Sequence, residues 1–321
     1  MGIDFRRTPV LATLVVGILL YLLCAWQFPG FATVRVALDL LSENAYLGVI
    51  AIGMTFVILT GGIDLSVGAM AGLAGIFAAH LMERKHMAPA ASCAIVLAMG
   101  VALGWVQGTL VARFKLAPFL VTLSGLFLCR GLALMVSLDA ISVHSPTFKL
   151  WTDFYIRLPG GKLPLVTLVL LGVLVAGLIL SKQTRFGRAV YAIGGGETSA
   201  HLMGLQVART IIGVYVLSGF CAALGGVLYS IALGSGNPIS GVGMELDVIA
   251  AVVIGGTLLS GGYGSVFGTF LGVLILGTIQ TAIIFQGTLN SWWTKIFIGA
   301  LLLAFILIQK LLERSSNPER N

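Results

Sequence analysis

Charge is scarce in this chain of 321 residues: Asp, Glu, Lys and Arg together make up only 10% of it. A soluble domain cannot hold 58% hydrophobic residues under so thin a polar cover. Cysteine is also rare, and Cys24, Cys93, Cys129 and Cys221 stand apart with no C-x-x-C pair. That spacing supports neither a zinc site nor a redox motif, and these residues read as small packed side chains. The histidines have no ligand spacing, no H-E-x-x-H occurs, and no Ser-His-Asp arrangement can be argued. The phosphate-cradling G-x-x-x-x-G-K-[ST] run is missing, so ATP is not bound here through a P-loop. No metal, no cofactor and no catalytic residue is expected, and an intramembrane enzyme has nothing to work with. The net charge of +7 does not point to nucleic acid, because in an apolar chain basic residues mark the cytoplasmic ends of spans.

What is present is apolar length. Mean hydropathy is +1.04, and apolar runs of about 20 residues match the bilayer core. The runs are continuous rather than alternating, which excludes a closed β-barrel. The expected fold is an all-α polytopic membrane protein. Spans are predicted at residues 9–28, 44–60, 64–82, 89–112, 117–137, 164–181, 209–234, 246–259, 266–285 and 291–312. That makes about ten segments, with 246–259 short for a full crossing and broken or re-entrant instead. Residues 35–43 read as an amphipathic interfacial helix, and the run after Arg6 and Arg7 as a first membrane anchor rather than a cleavable signal. The domain is single, with a first helical half (1–181), a polar connection (182–208) and a second half (209–321).

Lys and Arg set the orientation. With the N-terminus inside, Arg6, Arg7, Arg113, Lys115, Lys182, Arg185, Arg188, Arg209, Lys310, Arg314 and Arg320 fall on the inner side. A smaller group falls outside: Arg35, Arg84, Lys85, Lys149, Arg157, Lys162 and Lys295. The bias favours a cytoplasmic N-terminus and a cytoplasmic 182–208 connection.

That connection opens with Lys182, Arg185 and Arg188, meets the Gly194-Gly195-Gly196 triplet, and turns amphipathic from Glu197 to Leu205. The triplet is expected to break any helix, with a short second helix after it. On that second helix Ala200 and Gly204, four apart, would share a small flat face suited to docking another protein. An ordinary inter-span loop explains the composition equally.

Three further features stand out. Gly61 and Gly62 end one helix, and Asp64 with Ser66 can cap the next, either as a plain helix break or as a break beside a substrate path. Arg130 lies well inside a span, where a cation normally faces a partner or an aqueous cavity; Asp139, Glu245 and Asp247 are the candidate partners, and snorkelling the alternative. The ladders Gly100/Gly104/Gly108 and Gly264/Gly268/Gly272 read as grooves for close helix packing. A faint echo at an offset of 200 aligns Gly61, Gly62, Gly68 and Gly72 with Gly261, Gly262, Gly268 and Gly272.

The opening Thr184-Arg185-Phe186-Gly187-Arg188 followed by Glu197, Ala200 and Gly204 resembles the coupling loop of ribose-type ABC sugar importer permeases. So do Thr60-Gly61-Gly62-Ile63-Asp64-Leu65-Ser66-Val67-Gly68 and Val252-Val253-Ile254-Gly255-Gly256-Thr257. The tail Asn290-Ser291-Trp292-Trp293-Thr294-Lys295 and the 35–44 entry resemble the permeases of galactofuranose importers. The resemblance implies a type II-like importer permease in the bacterial inner membrane. A separate cytoplasmic ABC ATPase would bear on Arg185, Gly187, Arg188, Glu197, Ala200 and Gly204. A periplasmic binding protein would deliver a galactofuranose- or galactose-like monosaccharide, and a second permease subunit would complete the pair. Asp64, Ser66, Arg130 and Asp247 are the candidate path residues. The competing reading is an ion-coupled secondary transporter, which needs intramembrane carboxylates; only Asp64 lies near such a position.

Overall fold

The structure, a computed structural model, describes residues 8–287 and 292–316. Arg6, Arg7, Asn290, Ser291 and Arg320 lie outside the described residues. The chain opens with α1 (Thr8–Gln27), the short α2 (Val34–Glu43) and α3 (Ala45–Leu59). There follow α4 (Val67–Glu83), α5 (Pro89–Arg113) and α6 (Pro118–Val136). The long connection after α6 holds β1 (Ile141–Ser142), α7 (Pro146–Thr152) and the hairpin β2 (Tyr155–Leu158) with β3 (Gly161–Pro164). Then come α8 (Leu165–Gln183), α9 (Arg185–Gly195), α10 (Glu197–Leu202) and α11 (Val207–Leu233). The chain closes with β4 (Ser235–Gly236), α12 (Met244–Ile254), α13 (Val266–Gln286) and α14 (Trp292–Ser316).

Each predicted apolar run is a helix, yet about ten full crossings is more than the helix lengths carry. Among the described residues, six helices are long and apolar enough to cross a bilayer: α1, α5, α6, α8, α11 and α13. A seventh forms if α2 and α3, bent by 55°, count as one span. Helix α4 and the Trp292–Phe305 part of α14 are apolar but shorter. Helix α12 has 11 residues, as the short apolar run predicted, and cannot cross alone.

Helix α11 is the hub, packed on α5, α3 and α4 although it belongs to the second half of the chain. Glycine makes this contact possible. A Cβ at Gly104 would overlap the Tyr215 carbonyl, one at Gly100 or Gly219 the opposite glycine's or its own partner's backbone, and one at Gly226 the Ala71 carbonyl. The second ladder does the same for α13, where Gly268 and Gly272 meet Gly255 and Ala251 of α12. Both ladders are packing grooves, as read from the sequence. Three of the cysteines are buried and Cys93 is half-buried. The exposed apolar side chains of α1, α5 and α6, such as Leu19, Trp105 and Phe127, form the outer surface a membrane requires.

Gly104→Val should cost about 1–3 kcal/mol or more by forcing α5 off α11, whereas Gly172→Val, whose position faces open space, should be neutral. Membrane accumulation and detergent melting of the two variants check this; equal stability would remove the glycine seam as the packing determinant.

Candidate functional site: two helix breaks and a coupling segment

The first break follows α3. Gly61 takes a left-handed φ of +79°, and Gly62 N–H returns to the Val57 carbonyl at 3.1 Å, closing the helix as the sequence predicted. Asp64 and Ser66 do not cap α4 in the expected way. The Ser66 backbone N–H (2.9 Å) and hydroxyl (2.6 Å) both donate to Asp64 Oδ1, and Ser218 Oγ of α11 donates to Oδ2 at 2.7 Å. Gln107 Nε2 of α5 donates to Ser66 Oγ at 3.0 Å. A buried carboxylate draws every nearby donor, so the Ser66 hydroxyl is spent on it instead of on the helix. Asp64 and Ser66 therefore pin the break to α5 and α11.

The second break surrounds α12. After α11 the chain runs without helix down the glycine face of α4: Gly236 lies on Gly75, Ser240 on Gly72 and Gly241 on Gly68. Irregular backbone at membrane depth needs protein partners; here Gly236 and Pro238 are buried, while Ile239 and Val242 face outward. Arg130 explains itself here. Its Nη1 donates to the carbonyls of Pro238 and Ser240, both at 2.8 Å, and of the three expected carboxylates Glu245 interacts with it through charge. Counting about 1.5 Å per residue puts Arg130 some 18 Å from the start of α6, where freed carbonyls have no water to turn to. Asp247 is taken by Lys295 of α14, 2.7 Å from its Oδ1. Glu245, not singled out from the sequence as a path residue, sits at the start of α12 with Oε2 buried and without a hydrogen-bond partner. Its only sequence signal was proximity to Asp247. At the other end of α12, Thr13 Oγ1 of α1 donates to the Ile254 carbonyl at 2.8 Å, and Gly256 (φ +86°) turns the chain.

The two breaks meet. Gly262 N–H donates to the Leu59 carbonyl at 2.9 Å, and Gly261 packs on Gly61. The echo at 200 residues thus joins elements in contact, although the helices before the breaks end at Leu59 and Ile254, outside that register.

The polar connection is a rigid corner. Thr184 caps α9, accepting from Gly187 N–H at 3.1 Å, and Gly187 is buried so tightly on the Leu180 and Ser181 carbonyls that no side chain fits. Arg185 and Arg188 point to the surface. As expected, the triplet breaks the helix and a short one follows, although α9 runs through Gly194 and Gly195 and ends at Gly196. Gly194 is there for closeness: a Cβ would overlap the Leu59 carbonyl and the Gly262 backbone. Helix propensity loses to this packing. Tyr191 of α9, its phenol pushed up by burial and so held as a neutral donor, bonds the Gly264 carbonyl at 2.9 Å.

Helix α10 has only six residues. Ala200 is fully buried, and Gly204 lies beyond the helix with φ +79°, so the two do not share one exposed face. Gly204 is the left-handed stop, with Leu205 N–H returning to Ala200 O at 3.1 Å. The outward apolar residues are Leu202 and Met203, 82% and 67% exposed. Glu197 makes an exposed ion pair with Lys115 at 2.6 Å and forms one wall of a groove of about 890 Å³ with His201, Gly204 and Arg209.

The fold is a polytopic helical bundle with broken helices and an irregular segment laid on α4. The chain belongs to the family described as branched-chain amino acid transport system / permease component, which it matches over residues 36–306. It is 47% identical to the inner membrane ABC transporter permease protein YjfF of Escherichia coli K12, over 98% of this chain and 96% of that one. It is 36% identical to the fructose import permease protein FruG of Bifidobacterium longum, over 96% and 92%. It is 37% identical to the ribose import permease protein RbsC of E. coli K12, over 87% of each chain. No solved structure matches significantly.

Arg130→Leu strips the donor from the Pro238 and Ser240 carbonyls and should destabilise the protein by about 1–3 kcal/mol for each oxygen left bare. Detergent melting measures it, with Arg130→Lys expected between wild type and Leu. A Leu variant as stable as wild type would mean the guanidinium only snorkels.

Proposed function

We propose that the chain is one permease subunit of a bacterial ATP-binding-cassette sugar importer in the inner membrane, with its N-terminus in the cytoplasm. Its partners are a cytoplasmic ABC ATPase, a periplasmic sugar-binding protein and a second permease subunit, all within the lipid bilayer or at its surfaces. The cargo is a monosaccharide. Ribose and fructose appear in the names of relatives, and the 35–44 and 290–295 stretches favour a galactofuranose- or galactose-like sugar.

The observation that carries this reading is α10. It exposes Leu202 and Met203 beside a charged groove, on a corner anchored by buried Ala200 and by α9. A solvated loop has no need of exposed apolar side chains on a rigid mount, whereas a docking surface does. Arg185, Arg188 and Glu197 supply the polar rim, while Gly187, Ala200 and Gly204 shape the backbone beneath it. In this scheme nucleotide binding moves the corner and the path opens alternately to each side. Arg130 and the 234–243 segment border that path, with Asp64 and Ser66 buttressing it and Asp247 tying α14 to its rim. An ion-coupled carrier gains nothing from Asp64, whose buried carboxylate already holds three donors from Ser66 and Ser218.

Leu202→Asp combined with Met203→Asp should leave the permease in the membrane but abolish co-purification of the ATPase and sugar uptake. Both residues are exposed, so folding is spared. Full uptake with the ATPase still bound would exclude α10 as the docking surface. A Cys placed at Ser199 should react with thiol reagents from the cytoplasmic side only, and labelling from outside would reverse the orientation.

A further inference from the structure

The coupling reading says where an ATPase would push but not what the push moves. Helix α9 lies between the docking corner and the two helix breaks, and its inward face touches both. Gly194 abuts the last carbonyl of α3, Leu59, and the backbone of Gly262 in the loop before α13. Gly262 N–H is itself bonded to that Leu59 carbonyl at 2.9 Å. One turn earlier, Tyr191 Oη holds Gly264 O at 2.9 Å. Gly261 rests on Gly61, so neither break can shift without the other. Backbone in direct contact resists compression, so a displacement of one side passes to the other.

We propose that Gly194, steadied by Tyr191, is the joint through which the coupling segment moves both helix breaks together. The inference rests on the coupling reading. Gly194 acts as a positioning residue: it lets α9 reach the Leu59 carbonyl, so a movement of α10 becomes a movement of residues 60–62 and 260–264. Thr60 and Gly61 line a cavity of about 250 Å³ that also contains Lys115 and Glu197, so this displacement reshapes the space beside the docking groove. A purely structural glycine would explain the fit at Leu59, but not the Tyr191 bond to the same loop or the contact between the two breaks.

The test uses the full permease assembled with its ATPase, carrying Thr60→Cys with Cys93 replaced by serine. The rate of thiol labelling at position 60 is compared with and without ATP trapped by vanadate. In the parent, trapping should change that rate. Gly194→Ala should keep the ATPase bound yet lose the change, and Tyr191→Phe, which gives up one hydrogen bond, should show a smaller change than the parent. If both variants retain the parent's full change, the joint is refuted; if Gly194→Ala fails to accumulate, Tyr191→Phe alone decides by the same criterion. Loss of the ATPase from Gly194→Ala would also refute it, since Gly194 would then be shaping the docking surface. An ATPase that never binds the parent is a different failure, that of the coupling reading itself.

Discussion

Close approach of backbone to backbone is the contact on which this fold depends. Lipid tails are as apolar as leucine, so helices in a bilayer gain little from burying apolar side chains against each other. They associate where the backbones come near enough for dense packing. The chain has 42 glycines and meets that demand by placing many of them where elements cross. Helix α11 reaches α5 through Gly100, Gly104 and Gly219, and α4 through Gly226. The irregular segment before α12 lies on α4 only because Gly68, Gly72 and Gly75 leave room for it. The same device brings α9 to the helix breaks at Gly194. Spans, re-entrant segment and coupling corner are three uses of one contact type.

Much of this was legible in the sequence, for reasons that can be named. Span positions follow from apolar run length, which lipid enforces directly. The break at Gly61 and the shortness of α12 were readable because a helix stop needs a left-handed residue, and glycine takes that conformation without strain. The Gly194-Gly195-Gly196 triplet was legible as a helix break but not as a point of contact. Glycine marks a possible turn and a close approach alike, and only the fold reveals that Leu59 and Gly262 lie against α9. Gly204 was misplaced on a helix because spacing by four says nothing of where the helix ends. Its role as a stop rests on the φ of one residue. For Arg130 the anomaly was legible but its carbonyl partners were not. Carboxylates are visible in a sequence as candidate partners, whereas unsatisfied carbonyls are visible only once the backbone is known to leave the helix.

The buried polar groups obey a single accounting. A helix interrupted in the membrane frees carbonyls and N–H groups that water cannot reach, and each needs a protein partner. Around α12 those partners come from separate places: Arg130 of α6 for Pro238 and Ser240, and Thr13 of α1 for Ile254. Around the first break Thr122 of α6 donates to the Ile63 carbonyl and Asp64 accepts from the Ser66 N–H, while Gln107 of α5 and Ser218 of α11 bond the side chains of the Asp64–Ser66 pair. Elements far apart in sequence are thus committed to the two breaks by hydrogen bonds rather than by apolar contact alone.

That division has a mechanical consequence. Apolar contacts between smooth helices are non-directional and tolerate sliding, whereas a hydrogen bond to a freed carbonyl is lost within a fraction of an ångström. The breaks are therefore the points where displacement of one helix costs most unless its partners move too. Helix α9 meets the protein at those points through Gly194 and Tyr191, besides packing Phe186 on α3 and α11. In the proposed coupling, a push on the exposed corner at α10 reaches two interruptions of the bundle that are bonded to each other. The glycine seams on either side of α11 supply the stiff frame against which that bending is measured. The arrangement assigns rigidity to the long helices and motion to their interruptions, with Arg130 and Thr13 fixing where the second interruption begins and ends.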